Sequence, residues 1–345
     1  MERCFVPTPG GNLELLISRP QQHKKAPPVF FAHGGYSCAR VWLDWIDHLH
    51  NNGYESTLYA CSLRNHGARY SVPFYRMVWG TPLTSCLEDL LACFHFAQTD
   101  AGAEDFVSVG HSSGGGLLQY LLAKSLVRAR ALCLLDSIPH FGSYGVYWNW
   151  FKTDSWLPLR SMLHLQHPTS PSSSGRLVHQ AFFGRRYPRE KVQEFRCWMP
   201  AYESMGWPLG MFGEFWAWWQ GKPRWLNTRD IARSTPSFIN EGGQIRLCII
   251  VGSEDMMIDV EMCSHQAAEY RQAVKSHQLA TPQQRNSLAS EYTEPEIVHG
   301  WPEGVQVEAA QGVQLAVVEG AGHHSQNDVQ RETGAQVLQR FLRQV

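Results

Sequence analysis

No apolar run in this 345-residue chain approaches the length that a bilayer span requires, so no membrane-crossing segment is expected. Charge of one sign is also missing. Lys and Arg number 30 against 31 Asp and Glu, a formal net charge of −1 that offers no global field to nucleic acid or an anionic membrane. The densest basic stretch, "FGRRYPREK", is short and broken by Glu190. The opening "MERCFVPTPGGNLELLISRP" has no basic segment followed by an apolar core, so it does not read as a secretory signal, and the closing "LRQV" is not the common peroxisomal tripeptide. Nine cysteines are scattered singly with no C-x-x-C pair, the usage of free thiols in a reducing compartment, and a cytoplasmic location is the expectation. The histidines show no H-E-x-x-H or similar ligand spacing, and no phosphate-binding loop with Lys is present. Neither a metal nor another cofactor is implied.

What is present suits a globular protein with a substantial core: 43% hydrophobic and 18% charged residues. The length allows one large α/β domain with an insertion, or two ordinary domains. Two apolar stretches around the "PGGN" turn read as a hairpin. "PPVFFAHGG", a continuous apolar run between Pro and Gly, reads as a buried parallel strand. In "VWLDWIDHLHNNG" the residues Val41, Trp42, Trp45, Ile46 and Leu49 share one helical face, and Gly53 stops the helix. Strand-like and helix-like segments then alternate through "ARALCLLDS" and resume at "IRLCIIVGSED", which predicts a mostly parallel sheet with right-handed crossovers and helices on both faces.

The alternation breaks between residues 137 and 238. Many of the 13 Trp fall there, in "YGVYWNWF", "DSWLPLR", "RCWMPAY" and "GEFWAWWQGKPRW". The expected organisation is a core of residues 1–136 and 239–345 with 137–238 inserted as a helical, aromatic-rich cap. Most of its rings should fill the cap's own core, and some should face the sheet and shape an apolar pocket. A second segment, about 276–312, reads as a polar loop without assigned function.

The chemistry centres on "VGHSSGGG" at residues 109–116, between the strand-like "DFVSV" and the helix-like "LLQYLLAKSLV". Gly110, Ser112 and Gly114 fit G-x-S-x-G in a strand–turn–helix setting. This resembles the nucleophile elbow of the α/β-hydrolase superfamily, of the capped serine esterase and lipase type. A serine hydroxyl needs a base, and the base needs an orienting carboxylate. The resemblance implies His323 in "VVEGAGHHS" as the base, with His324 as its neighbour. It implies Asp255 in "IIVGSEDMMID" as the acid, with Asp136 at the end of "LCLLD" as the alternative. The oxyanion donors it implies are the N–H of Ser113 and an N–H from "FFAHGGYS", that of Gly35 or of Tyr36. His33 reads as a turn-stabilising residue. "SLRNHGARYS" is similar to the family's Leu-Arg-Gly-His-Gly-x-Ser stretch, and its Arg64 and His66 read as loop-pinning residues.

The resemblance covers the chain from about residue 5 to its end, apart from the cap. The Trp-rich look is shared with hydrolases of fungal natural-product pathways, which implies secondary metabolism. The expected activity is a serine hydrolase cleaving an ester, thioester or lactone in a bulky apolar small molecule. Two alternatives stay open: a non-hydrolytic acyltransferase, cyclase or condensation catalyst on the same fold, and a silent ligand-binding protein with a hydrolase frame.

Overall fold

The short apolar runs are buried along their whole length in the computed structural model, which describes residues 1–20, 26–68, 70–213, 225–235, 246–278 and 295–345. They form the middle of a ten-stranded sheet. Its strands are β1 (Glu2–Thr8), β2 (Gly11–Ser18), β3 (Val29–Ala32), β4 (Leu58–Cys61), β5 (Phe106–His111), β6 (Ala129–Leu135), β7 (Leu247–Gly252), β8 (Glu296–Ile297), β9 (Val305–Ala310) and β10 (Val313–Val318), in the order β1-β2-β4-β3-β5-β6-β7-β10-β9-β8. The run from β4 to β10 is parallel, whereas β1, β2, β8 and β9 join antiparallel. Central parallel strands lie under helices on both faces, which is why they read as unbroken apolar runs.

Helices pack as two groups. Leu43–Asn51 lies against Arg331–Leu342, and Ser113–Ala123 lies against Leu83–Ala101 and Thr228–Arg233, the latter against Val260–Gln278. The face read from "VWLDWIDHLHNNG" is buried in full, and Trp45 Nε1 donates to the Arg331 carbonyl at 2.9 Å across the first pair. Gly53 follows with φ 82°, the left-handed conformation that ends a helix most easily at glycine.

Between β6 and β7 the regular structure among the described residues is helical and includes no strand: Tyr144–Thr153, Leu157–Leu163, Gly175–Phe182, Arg189–Arg196, Gly206–Gly210 and Thr228–Arg233, with a short 3-10 turn at Ser170–Ser172. Trp150 and Trp207 are buried there, while Trp148 and Trp156 are exposed. Most of "GEFWAWWQGKPRW" and the 238/239 boundary lie outside the described residues. Among the described residues no helix is long and apolar enough to cross a membrane.

One expectation needs correction. The segment 276–312 is not simply a polar loop: it carries β8 and β9, which extend the sheet past β10, while 279–294 lie outside the described residues. Gln311 and Gly312, with φ of 45° and 72°, connect Ala310 to its register partner Val313. Two residues at positive φ match the twist of a tight hairpin. β9 is flanked on its outer side only by the two-residue edge strand β8 and is half solvated, so the mixed "VQVEAA" lacks the apolar run that marks a central strand.

Candidate active site

The C-terminal ends of β5, β7 and β10 point to one side of the sheet, where open α/β sheets place their sites. Ser112 sits between β5 and the helix Ser113–Ala123 with φ 51° and ψ −126°, a sparsely populated conformation. Its N–H donates to the Leu135 carbonyl at 3.1 Å, and its own carbonyl accepts from Gly115, Gly116 and Ile138. Two glycines make this turn possible by leaving room. A Cβ on Gly110 would stand 2.4 Å from the Gly115 Cα, and one on Gly114 would stand 2.3 Å from the His33 carbonyl oxygen. Both obstacles are backbone, so no rotamer change relieves them.

Ser112 Oγ lies 2.9 Å from Nε2 of His323, in the loop after β10. On the far side of that ring, Nδ1 lies 2.7 Å from Asp255 Oδ2, in the loop after β7. The carboxylate only accepts, so Nδ1 carries the proton and Nε2 is left to accept from the serine hydroxyl. Burial pushes the His323 imidazolium down to about 3, which keeps the ring neutral in the resting protein, with Nε2 free to accept. Asp255 also accepts the N–H groups of Met257 and Ile258 at 2.8 and 3.0 Å. Burial drives its carboxyl upward, and those two N–H groups oppose it.

The two alternatives lie elsewhere. His324 donates its N–H to the Phe182 carbonyl, and its ring stands among His111, Phe182 and Phe195, away from Ser112. Asp136 accepts from the Gly252 N–H at 2.8 Å and the Ser325 hydroxyl at 2.6 Å, and has no hydrogen bond to His323. Burial first, and then the Asp255 charge, hold Asp136 well above the carboxylate range. Of the two acids, Asp136 is held the more firmly protonated, and the two N–H groups on Asp255 favour charge there.

The candidate oxyanion donors are divided in the same way. Among the described residues the N–H groups of Gly35 and Ser113 have no acceptor, and both residues border the cavity beside Ser112. Tyr36 requires a correction, because its N–H already donates to Glu203 Oε2 at 2.9 Å. Its hydroxyl donates to the Pro168 carbonyl. His33 spends both nitrogens on loops, Nδ1–H to the Gly34 carbonyl at 2.7 Å and Nε2 to the Leu63 N–H at 3.1 Å. Burial first, with the neighbouring His66 charge, pushes its imidazolium down to about 3.

Glu203 was not found from the sequence. It is 2% exposed, borders the cavity, and accepts from Tyr36 N–H, from His66 Nε2 at 2.9 Å and from Ser204 N–H at 3.0 Å. His66 Nδ1 in turn faces the Arg64 carbonyl at 2.7 Å. Both ring nitrogens thus face pure acceptors, so the ring is doubly protonated and Glu203 is its counter-ion. Burial, the largest single influence, would lower His66 and raise Glu203, but their mutual attraction together with the backbone hydrogen bonds at Arg64, Tyr36 and Ser204 outweighs it, leaving His66 above and Glu203 below its ordinary value. A lone Glu in "CWMPAYESMG" carries no sequence signal of this, since its partner belongs to a distant loop. Arg64 in that loop is anchored on Asp89 through its N–H, Nε and Nη2.

The cavity above Ser112 measures about 290 Å³, and its wall includes Ile138, Tyr147, Trp150, Trp207, Phe212 and Met257. All but Met257 come from the segment between β6 and β7. Among the described residues no group of three or more His, Cys, Asp or Glu side chains could hold a metal ion.

Residues 29–338 match the alpha/beta hydrolase family in sequence. Solved structures similar in fold include an esterase from Exiguobacterium antarcticum (TM-score 0.57, 16% identity, 98% of each chain covered). A thermophilic esterase from Thermogutta terrifontis has a TM-score of 0.58 at 16% identity over 99% of this chain and 98% of its own. A bromoperoxidase from Bacillus anthracis reaches 0.55 at 14% identity over 99% and 100%. No curated protein matches the chain at a significant level.

Proposed function

The chain belongs to the alpha/beta hydrolase family, and from that premise we propose that it is a serine hydrolase of ester-type bonds, with 137–238 acting as the cap over its site. The observation that carries this reading is the continuous hydrogen-bonded line Ser112 Oγ–His323 Nε2 and His323 Nδ1–Asp255 Oδ2, at 2.9 and 2.7 Å, opening into an apolar cavity.

Ser112 Oγ attacks the acyl carbon while its proton passes to His323 Nε2. The carbonyl oxygen becomes an oxyanion and receives the N–H groups of Gly35 and Ser113, at the N-terminus of the helix Ser113–Ala123. His323 then delivers its Nε2 proton to the departing alcohol or thiol, which leaves an acyl-Ser112. Water, deprotonated by His323, attacks that ester, and the acid leaves as His323 returns the proton to Ser112 Oγ. Asp255 holds the Nδ1 proton throughout and balances the imidazolium charge. The helical wall of Tyr147, Trp150 and Trp207 favours a substrate with an apolar acyl or alcohol part, an ester, thioester or lactone.

The test is intact mass after incubation with a small fluorophosphonate, followed by peptide mapping. A single adduct on Ser112 that disappears in His323→Ala supports the reading. A folded protein that neither takes up the probe nor hydrolyses p-nitrophenyl esters of graded chain length refutes it.

A further inference from the structure

One polar atom beside the reaction centre has no partner. Ser113 is 5% exposed, and among the described residues its Oγ makes no hydrogen bond. A buried hydroxyl left unpaired has given up its water without gaining a partner, which weakens the folded state. Ser113 borders the cavity together with Ser112, Gly35 and His323. A Cβ built on Gly35 would come within 3.9 Å of Ser113 Oγ, so the hydroxyl and the Gly35 backbone flank the same small space. It is not a second nucleophile: His323 Nε2 is engaged by Ser112 at 2.9 Å, and no base reaches Ser113.

We infer that the Ser113 hydroxyl is a third donor to the reaction's oxyanion, beside the N–H groups of Gly35 and Ser113, and is therefore a catalytic residue whose partner arrives with the transition state. This rests on the serine-hydrolase reading above. Its chemistry is a hydrogen bond alone. The proton stays on Ser113 Oγ while the negative oxygen forms and collapses, so no atom or charge is transferred. The position suits the task, because Ser113 is the first residue of its helix and shares the rigid elbow backbone that places Ser112. An unpartnered hydroxyl weakens the resting protein and strengthens only a state in which an acceptor is present, the differential binding that raises turnover.

The experiment compares wild type, Ser113→Ala and Ser113→Thr on an apolar p-nitrophenyl ester, with melting curves as the folding control. Removal of one oxyanion donor is expected to lower kcat about 100-fold, with KM nearly unchanged and the melting temperature held or raised in Ser113→Ala. Ser113→Thr, which keeps the hydroxyl, should recover most of the loss. Inhibition by an apolar trifluoromethyl ketone, whose adduct on Ser112 carries the oxyanion, should weaken in step with kcat/KM. A Ser113→Ala enzyme with wild-type kcat, or one changed only in KM, overturns the inference while leaving the hydrolase reading intact. If wild type itself neither labels at Ser112 nor turns over, the hydrolase reading has failed and the inference falls with it.

Discussion

Replacing Glu203 by Gln changes one atom in a buried cluster that has no tolerance for it. The carboxylate accepts from Tyr36 N–H and His66 Nε2 on one oxygen and from Ser204 N–H on the other. An amide has one acceptor end and one donor end. With its oxygen toward Tyr36 and His66, its NH₂ confronts the Ser204 N–H; turned over, it confronts the Tyr36 N–H. Either way one buried N–H is orphaned, at about 1–3 kcal/mol, and the charge attraction to His66 is lost as well. The combined loss is set at about 2–4 kcal/mol, below the figure for a bare buried charge because His66 can discard its proton. Unfolding entropy near 2.1 cal/mol/K per residue over 345 residues gives about 0.7 kcal/mol/K, so the melting temperature should fall by about 3–6 °C.

The deficit should depend on pH. His66 is raised above 6.5, because Glu203, the Arg64 carbonyl and Asp89 together outweigh burial, so its share of stability is complete below pH 6.5 and fades as pH climbs through the raised value. Glu203 is lowered below 4.5, so its share is complete above pH 4.5 and fades as pH falls through the lowered value. The gap between wild type and Glu203→Gln should therefore be widest from about pH 4.5 to 6.5 and narrow on the alkaline side. Differential scanning fluorimetry in a buffer series checks this. A gap under about 1 °C, or one that is flat across the series, would refute a charged His66–Glu203 pair.

Ser112→Ala should lose about 10⁴-fold or more in turnover and all fluorophosphonate uptake, read by steady-state kinetics and intact mass. Asp255→Asn should slow turnover by about 10³–10⁴-fold by disturbing the His323 tautomer. Asp136→Asn, at a carboxyl that already keeps its proton, should stay within about tenfold of wild type; the reverse ranking of the two variants would move the acid to Asp136. Gly114→Ala should fold poorly or melt well below wild type, since its Cβ would sit 2.3 Å from the His33 carbonyl oxygen. A wild-type melting curve for that variant would contradict the close-packed elbow.

Local pattern was enough to read the sheet and its elbow. A parallel strand buried on both faces reads as a near-continuous apolar run, as "VFFA" and "LCIIVG" do, and a turn with backbone on both sides must be glycine, as at Gly110 and Gly114. The mixed strand β9 escaped because, with only the two-residue β8 outside it, it is half solvated and has no such constraint. At the site, the sequence supplied two carboxylates, two adjacent histidines and two loop N–H groups, and each choice turned on distance rather than residue type. Asp255 and not Asp136 reaches the imidazole, His323 and not His324 reaches Ser112, and Tyr36 N–H is already spent on Glu203. Glu203 itself had no local signature, since its ion pair joins loops 137 positions apart. Periodicity and steric necessity are properties of neighbours along the chain, and so they are written in the sequence. Partner choice among buried polar groups is a property of neighbours in space, and only the packed tertiary structure decides it.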